Sequence, residues 1–280
     1  MEQVMTGIAT GFFGIMTLFA PLAFQLVILS ILASWLQILM ARVLGFGLSV
    51  YLTAPGTIIH ELSHFLGCIV AGTSIGEVSL FSPREDPPGS GRWVLGQVVR
   101  GKTSYLGEMV ISFAPFFGCT AALIVAIKVL LPGSTIPSFP YSDLTHIKLT
   151  SVSGAFSFLF TYIATYITYL VDFTVSLNLL DLRTYLFILI TLSIAPGITP
   201  SATDYEHFFS ALAVTMLLLL PVTVIFHLCG FPFLSISQKE WGNALIDLST
   251  YIGMATIICL LGVIIFLIAD GVKSLAQEKA

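Results

Sequence analysis

The chain has 280 residues, of which 56% are hydrophobic and only 9% charged, with a formal net charge of -4. Soluble domains carry about 25% charged residues, so this composition excludes an ordinary soluble globule and reads as an all-α polytopic membrane protein. The few, scattered basic residues argue against a nucleic-acid partner; lipid bilayer is the expected surroundings.

Taken in chain order, the N-terminus opens Met1-Glu2-Gln3 without a basic n-region or a small-residue cleavage site. The first apolar segment therefore reads as a retained anchor. Spanning a bilayer takes about 20 helical residues. The expected spans are 12–40, with Pro21 near its start, then 46–71, 105–131, 151–171, 206–229 and 243–269. Residues 184–197 form a shorter apolar piece ending at Ala195-Pro196-Gly197-Ile198-Thr199-Pro200. That makes about six full spans and one short or broken one, in a single membrane-embedded domain over 1–280. Pro55-Gly56 in the second span is expected to kink it, so that the helix proper begins near Thr57. No internal repeat is visible, whereas an inverted-repeat transporter would show one. The four cysteines, Cys68, Cys119, Cys229 and Cys259, lie in apolar stretches without a C-x-x-C pair, and read as thiols packed among helices.

Between the second and third spans lies the one long polar insertion, 72–104. It holds a turn-rich run, Phe81 to Gly91, between two strand-like segments, Ile75–Phe81 and Arg92–Arg100. These can pair as a hairpin. An exposed edge there, with Trp93, Leu95 and Gln97, could hold an extended peptide by strand addition. The insertion also carries Arg84, Arg92, Arg100 and Lys102, the densest basic cluster, which places it on the cytoplasmic side.

The most informative residues are His60-Glu61-Leu62-Ser63-His64, inside the second span. Helical spacing puts both histidines on one face, one turn apart, where two imidazoles reach one metal ion. Glu61, one step round, is placed to take a proton from water activated by that metal. Ionisable residues are costly within a span and mark function there by default. Three within five residues are hard to explain by packing. The reading is one catalytic Zn2+ per chain, held by His60 and His64, with Glu61 as general base.

A catalytic zinc usually takes three protein ligands and keeps one position open. The acidic and histidine candidates at comparable depth are Glu108, Asp172, Asp181, Asp204, Glu206 and His207. Asp204 is preferred. It follows the Pro-Gly-x-x-Pro break, in the third-ligand region near 196–210, and would fall in the first turn of the next helix, where backbone N–H groups stabilise a carboxylate. Glu206 and His207 are the reserves. Asp172 and Asp181 read as interfacial, Glu108 as a cap for the third span, and His146 and His227 as surface or helix-end residues. Thr53, Thr57, Ser63, Ser112 and Ser201 are candidate walls for a water inlet, each equally able to bond its own helix.

With these residues the chain resembles the site-2-protease-type intramembrane zinc metalloproteases. The likeness rests on the intramembrane His60 to His64 motif, the later Asp204 beside a proline break and the strand-like Arg92 to Arg100, and covers about 50–210. More specifically it looks like a compact prokaryotic subgroup with Pro-Gly-x-x-x-His-Glu-x-x-His, here Pro55 to His64. The best-known members place the aspartate in Asn-x-x-Pro-x-x-x-x-Asp-Gly, whereas Tyr205 follows Asp204 here and no asparagine stands at the matching place. The resemblance implies a multi-pass prokaryotic membrane enzyme that hydrolyses a locally unwound membrane-spanning segment of a substrate protein. Three rivals are distinguishable. A CAAX-type protease would need Glu206 or Glu240 in place of Asp204. A metal transporter would not need Glu61 as a base. An inactive relative would bind membrane segments without cutting them.

Overall fold

The computed structural model describes residues 2–85, 93–132, 152–199, 213–214, 217–218, 221–222, 224–225, 229 and 233–278. The principal helices are α1 (Glu2–Leu44), α2 (Phe46–Val70), α3 (Tyr105–Leu130), α4 (Val152–Ser176), α5 (Leu182–Ile198) and α6 (Phe233–Glu278). Among the described residues four stretches are long and apolar enough to cross a membrane: Leu22–Leu44, Tyr105–Leu130, Phe156–Ser176 and Leu248–Gln277. The apolar α5 is shorter, at 17 residues. The first and last helices run well past the expected 12–40 and 243–269, because no proline or capping signal stops them at those points. Pro21 sits inside α1 without ending it. The expected span over 206–229 lies largely outside the described residues.

The chain forms two compact units. One comprises residues 1–26, 134–177 and 212–254. In it α4 stacks Phe158, Tyr162 and Tyr166 at 6.2 and 6.1 Å. Gln25 Nε2 donates to Tyr162 Oη at 2.6 Å, which pairs two polar atoms in an apolar interior. The other unit comprises 27–133, 178–211 and 255–280, and it contains the His-Glu-x-x-His motif.

In that second unit a single residue, Gly45, separates α1 from α2, at φ +85°, a conformation that glycine adopts without the Cβ clash. Lys273 of α6 donates to the Arg42 carbonyl at 2.8 Å, and Arg42 faces Asp270 at 3.9 Å, so α6 closes over the C-terminal end of α1. The helix does not begin near Thr57, as Pro55-Gly56 led us to expect; α2 starts at Phe46 and runs through Pro55. Pro55 removes one backbone donor, and the next N–H, of Gly56, donates to Ser193 Oγ of α5 at 3.1 Å. A neighbouring helix thus takes up the rearranged backbone, as in other proline-containing spans.

The buried face of α2 is its small and polar stripe: Ser49, Thr53, Gly56, His60, Ser63 and Gly67, spaced alternately by four and three. Its large apolar residues, among them Leu52, Ile58, Leu62, Leu66 and Ile69, are exposed. This arrangement is the reverse of a helix on a water-soluble protein. It is the one expected where lipid meets the outer face and close helix contact needs small residues. The hydroxyls of the stripe bond within the helix, Thr53 to Ser49 and Val50, and Ser63 to Ile59.

A Schellman closure ends α2: Thr73 N–H donates to Cys68 O at 2.9 Å and Gly72 N–H to Ile69 O at 3.1 Å, with Gly72 at φ +64°. The insertion that follows forms the expected hairpin. Strand β1 (Ile75–Ser79) pairs antiparallel with β4 (Gln97–Arg100), in the register Ile75 to Arg100 and Ser79 to Gln97, with an irregularity between. The shorter β2 (Arg84–Glu85) pairs with β3 (Trp93–Val94). The insertion folds back along α2. Trp93 packs on Phe46 with ring centroids at 4.6 Å, and Phe81 lies 5.9 Å from Tyr51. Since Phe46 and Val70 are about 36 Å apart along a helix of 1.5 Å rise per residue, the hairpin covers most of the length of α2.

Candidate functional site

The two motif histidines sit where α2 crosses two other helices, and glycines set both crossings. Between α2 and α5, an ideal Cβ on Gly56 would come within 1.9 Å of Ser193 O, and one on Gly197 within 3.0 Å of Gly56 O. Between α2 and α3, a Cβ on Gly67 would lie 2.9 Å from Ala114 Cβ and 3.1 Å from Ile111 Cα. On the same side of α2, Ser63 Oγ occupies the space that a Cβ on Gly118 would take. Backbones in near contact bring main-chain carbonyls within reach of side chains on the facing helix.

Each histidine uses this. His60 Nδ1 lies 2.8 Å from Gly197 O of α5, and His64 Nδ1 lies 3.0 Å from Ile111 O of α3. A carbonyl only accepts, so in the neutral imidazole Nδ1 carries the proton and Nε2 carries the lone pair. Both acceptors are carbonyls that the helix ladder cannot serve. Gly197 is in the last turn of α5, whose final carbonyls have no intrahelical donor. The residue four beyond Ile111 is Pro115, which has no N–H. The imidazole centroids are 4.8 Å apart, with ring planes 82° from parallel. A backbone carbonyl on Nδ1 is the usual outer-shell partner of a metal-ligating histidine, because it fixes both tautomer and ring orientation.

Glu61, half-buried on the adjoining face, lies against the hairpin. An ideal Cβ on Gly96, between β3 and β4, would sit 2.6 Å from Glu61 Cγ, 2.8 Å from Leu80 O and 3.1 Å from Ser79 O. Gly96 therefore leaves room for the Glu61 side chain within a wall of hairpin backbone. The three edge residues are all engaged. Trp93 packs on Phe46, Leu95 O accepts from Ser82 N–H at 2.7 Å, and the Gln97 side chain accepts from Arg84 Nη2. Strand β4 pairs with one strand, β1, among the described residues.

Two expected candidates are placed elsewhere. Glu108 does not cap α3; Ser104 does, its Oγ accepting from Gly107 N–H at 3.1 Å. Glu108 instead accepts from Arg100 Nη1 at 2.6 Å, which ties the end of β4 to the first turn of α3. Asp181 is the N-cap of α5, accepting from Arg183 N–H at 3.0 Å. It stands at the opposite end of that helix from Gly197, about 24 Å away along its axis. Asp172 is an exposed residue of α4. Asp204, Glu206, His207, Ser201, His146 and His227 lie outside the described residues. Among the described residues no group of three or more histidine, cysteine, aspartate or glutamate side chains is gathered tightly enough to hold a metal ion. Of the candidate inlet hydroxyls, Thr53, Thr57 and Ser63 bond their own helix, while the buried Ser112 Oγ has no hydrogen-bond partner among the described residues.

The sequence reading missed the two carbonyls, the seat at Gly96 and Cys119. That thiol, fully buried on α3, lies beside His60, and its sulfur is 3.1 Å from the place of a Cβ on Gly197. Carbonyl partners leave no trace in side-chain identity, although a proline within an apolar span does announce one unserved carbonyl four residues earlier. No family model matches the chain, and neither a curated protein nor a solved structure was found to match it.

Proposed function

We propose that the chain is an intramembrane zinc metalloprotease, a hydrolase acting on the membrane-spanning segment of another protein. The observation that carries this reading is the pair of carbonyl bonds on Nδ1 of His60 and His64. They make Nε2 the lone-pair nitrogen of both rings, one helical turn apart, as in the donor set of the His-Glu-x-x-His zinc sites. Burial and packing alone would not require both rings to share one tautomer.

The third ligand is Asp204, with Glu206 and His207 in reserve. Gly197, bonded to His60, is seven residues before Asp204, and chain of that length spans up to about 25 Å. A carboxylate in that segment can therefore return to the histidine pair, whereas Asp181 is at the far end of α5 and Glu108 is paired with Arg100. A zinc ion on these residues would supply an activated water at neutral pH and polarise the peptide carbonyl.

The chain's own residues do the rest. His60 and His64 bind as neutral imidazoles, held by Gly197 and Ile111. Glu61 accepts the proton of the attacking water as its oxygen bonds to the peptide carbon, and returns it to the leaving nitrogen as the C–N bond breaks. A helical segment hides its carbonyls in its own ladder, so the substrate must be extended at the cut. The edge of β4 offers strand pairing for this, and Gly96 places that strand against Glu61. Six spans with α5 as the short seventh, and the hairpin on the cytoplasmic side of a prokaryotic plasma membrane, complete the proposed topology.

The test is zinc content of the purified protein beside Asp204→Ala, Glu206→Ala and His60→Ala. About one zinc per chain in wild type, lost in His60→Ala and Asp204→Ala alone, supports the site. Loss in Glu206→Ala with retention in Asp204→Ala moves the chain to the class with a glutamate ligand. A wild type that holds no zinc after reloading ends the enzyme reading.

A further inference from the structure

We infer that Pro115 is a positioning residue for the histidine pair: by lacking an N–H, it gives the Ile111 carbonyl over to His64 and so decides which nitrogen His64 presents. In a regular helix the Ile111 oxygen would accept from the N–H of residue 115. Residue 115 is a proline inside α3, buried, and followed by fifteen helical residues up to Leu130. It does not end the helix; it removes one bond from it. Its ring also crowds the carbonyl four residues back, which tilts that oxygen out of the ladder. The oxygen in question is that of Ile111, and His64 Nδ1 meets it at 3.0 Å from across the α2–α3 crossing. The crossing is close there because Gly67 lies against Ile111 Cα and Ala114 Cβ.

The geometry makes two needs coincide. A carbonyl that has lost its helical donor in an apolar interior needs another, at a cost of about 1–3 kcal/mol if left without one. A histidine that is to offer Nε2 needs an acceptor on Nδ1. With an amide at position 115, its N–H would compete for the same oxygen, and the Nδ1 bond would be shared or lost. His60 requires no such device, because its acceptor belongs to a helix end.

The inference on tautomer stands on geometry alone, while its consequence for metal rests on the zinc reading. The experiment is Pro115→Ala in the full chain in detergent, with Pro115→Val as a second, bulkier variant that also restores the N–H. Two quantities are read: the 15N spectrum of labelled histidine in metal-free protein, and the zinc dissociation constant by chelator competition. The expected result is that His64 loses its Nδ1–H population while His60 keeps its own, and that zinc binds about 10- to 100-fold more weakly, the usual cost of an outer-shell change. A His64 still protonated at Nδ1, with zinc affinity within twofold of wild type, would overturn the inference. A purely structural kink would lower thermal stability without moving the His64 signal, which also counts against it. If wild type binds no zinc, the metal reading fails by itself, and the tautomer shift still decides the role of Pro115.

Discussion

Replacing Gly56 with alanine would put a methyl carbon 1.9 Å from the Ser193 carbonyl oxygen and 2.7 Å from its carbon. Both atoms are α5 backbone, so no rotamer change relieves the contact. Real Cβ contacts essentially never fall below 3.0 Å, so α2 and α5 must part by about 1.1 Å or more at this crossing. The neighbouring contact is the 2.8 Å bond between His60 Nδ1 and Gly197 O. Opened by the same amount it reaches about 3.9 Å, which is no longer a hydrogen bond. Two effects should follow. Overpacking costs about 1–3 kcal/mol of stability, and loss of the outer-shell carbonyl weakens zinc binding about 10- to 100-fold. Gly47, on the same helix, has nothing within 4 Å of a Cβ, so Gly47→Ala serves as the control and should be neutral or mildly stabilising. The assay is thermal unfolding in detergent, with chelator competition for zinc, on both variants. Wild-type zinc affinity and wild-type stability in Gly56→Ala would refute the claim that backbone contact at this crossing holds His60.

The remaining predictions concern the base and the hairpin. Glu61→Gln should keep zinc and abolish cleavage of a membrane-segment substrate; undiminished cleavage would remove Glu61 as the base. Gly96→Ala should retain zinc but reduce turnover, because the added carbon meets Glu61 Cγ and two hairpin carbonyls; unchanged turnover would show that the hairpin does not seat the base. Arg100→Ala leaves the partly buried Glu108 without its 2.6 Å partner, and should free the C-terminal end of the hairpin. Limited proteolysis should then cut within 72–104 faster than in wild type, and equal rates would count against the tie. Gly72→Ala forces an alanine to φ +64°, and should cost about 1–2 kcal/mol in thermal unfolding.

Particular residues show how much was legible in the sequence. The bounds of α2 and α3 were readable within a residue, because polar turns flank each apolar run. The hairpin was legible as two strand-like segments around a turn-rich loop, whereas its register, Ile75 with Arg100, was set by the fold. The start of the motif helix near Thr57 was misplaced, since a proline inside a helix can be accommodated when a neighbour such as Ser193 takes the next N–H. Glu108 was misread as a cap because Ser104, four residues earlier, competes for that role and the Arg100 partner is set by the hairpin.

What the sequence by itself determined is the composition of a membrane protein and a helix with two histidines and a glutamate in register, since both depend on local periodicity and transfer energy. The tertiary structure alone decided which nitrogen each histidine presents and what lies against Glu61. Those depend on Gly197, Ile111 and Gly96, whose contributions are main-chain oxygens and an absent side chain. A backbone carbonyl carries no residue identity, so only the packing of helix on helix can say which one a histidine will meet.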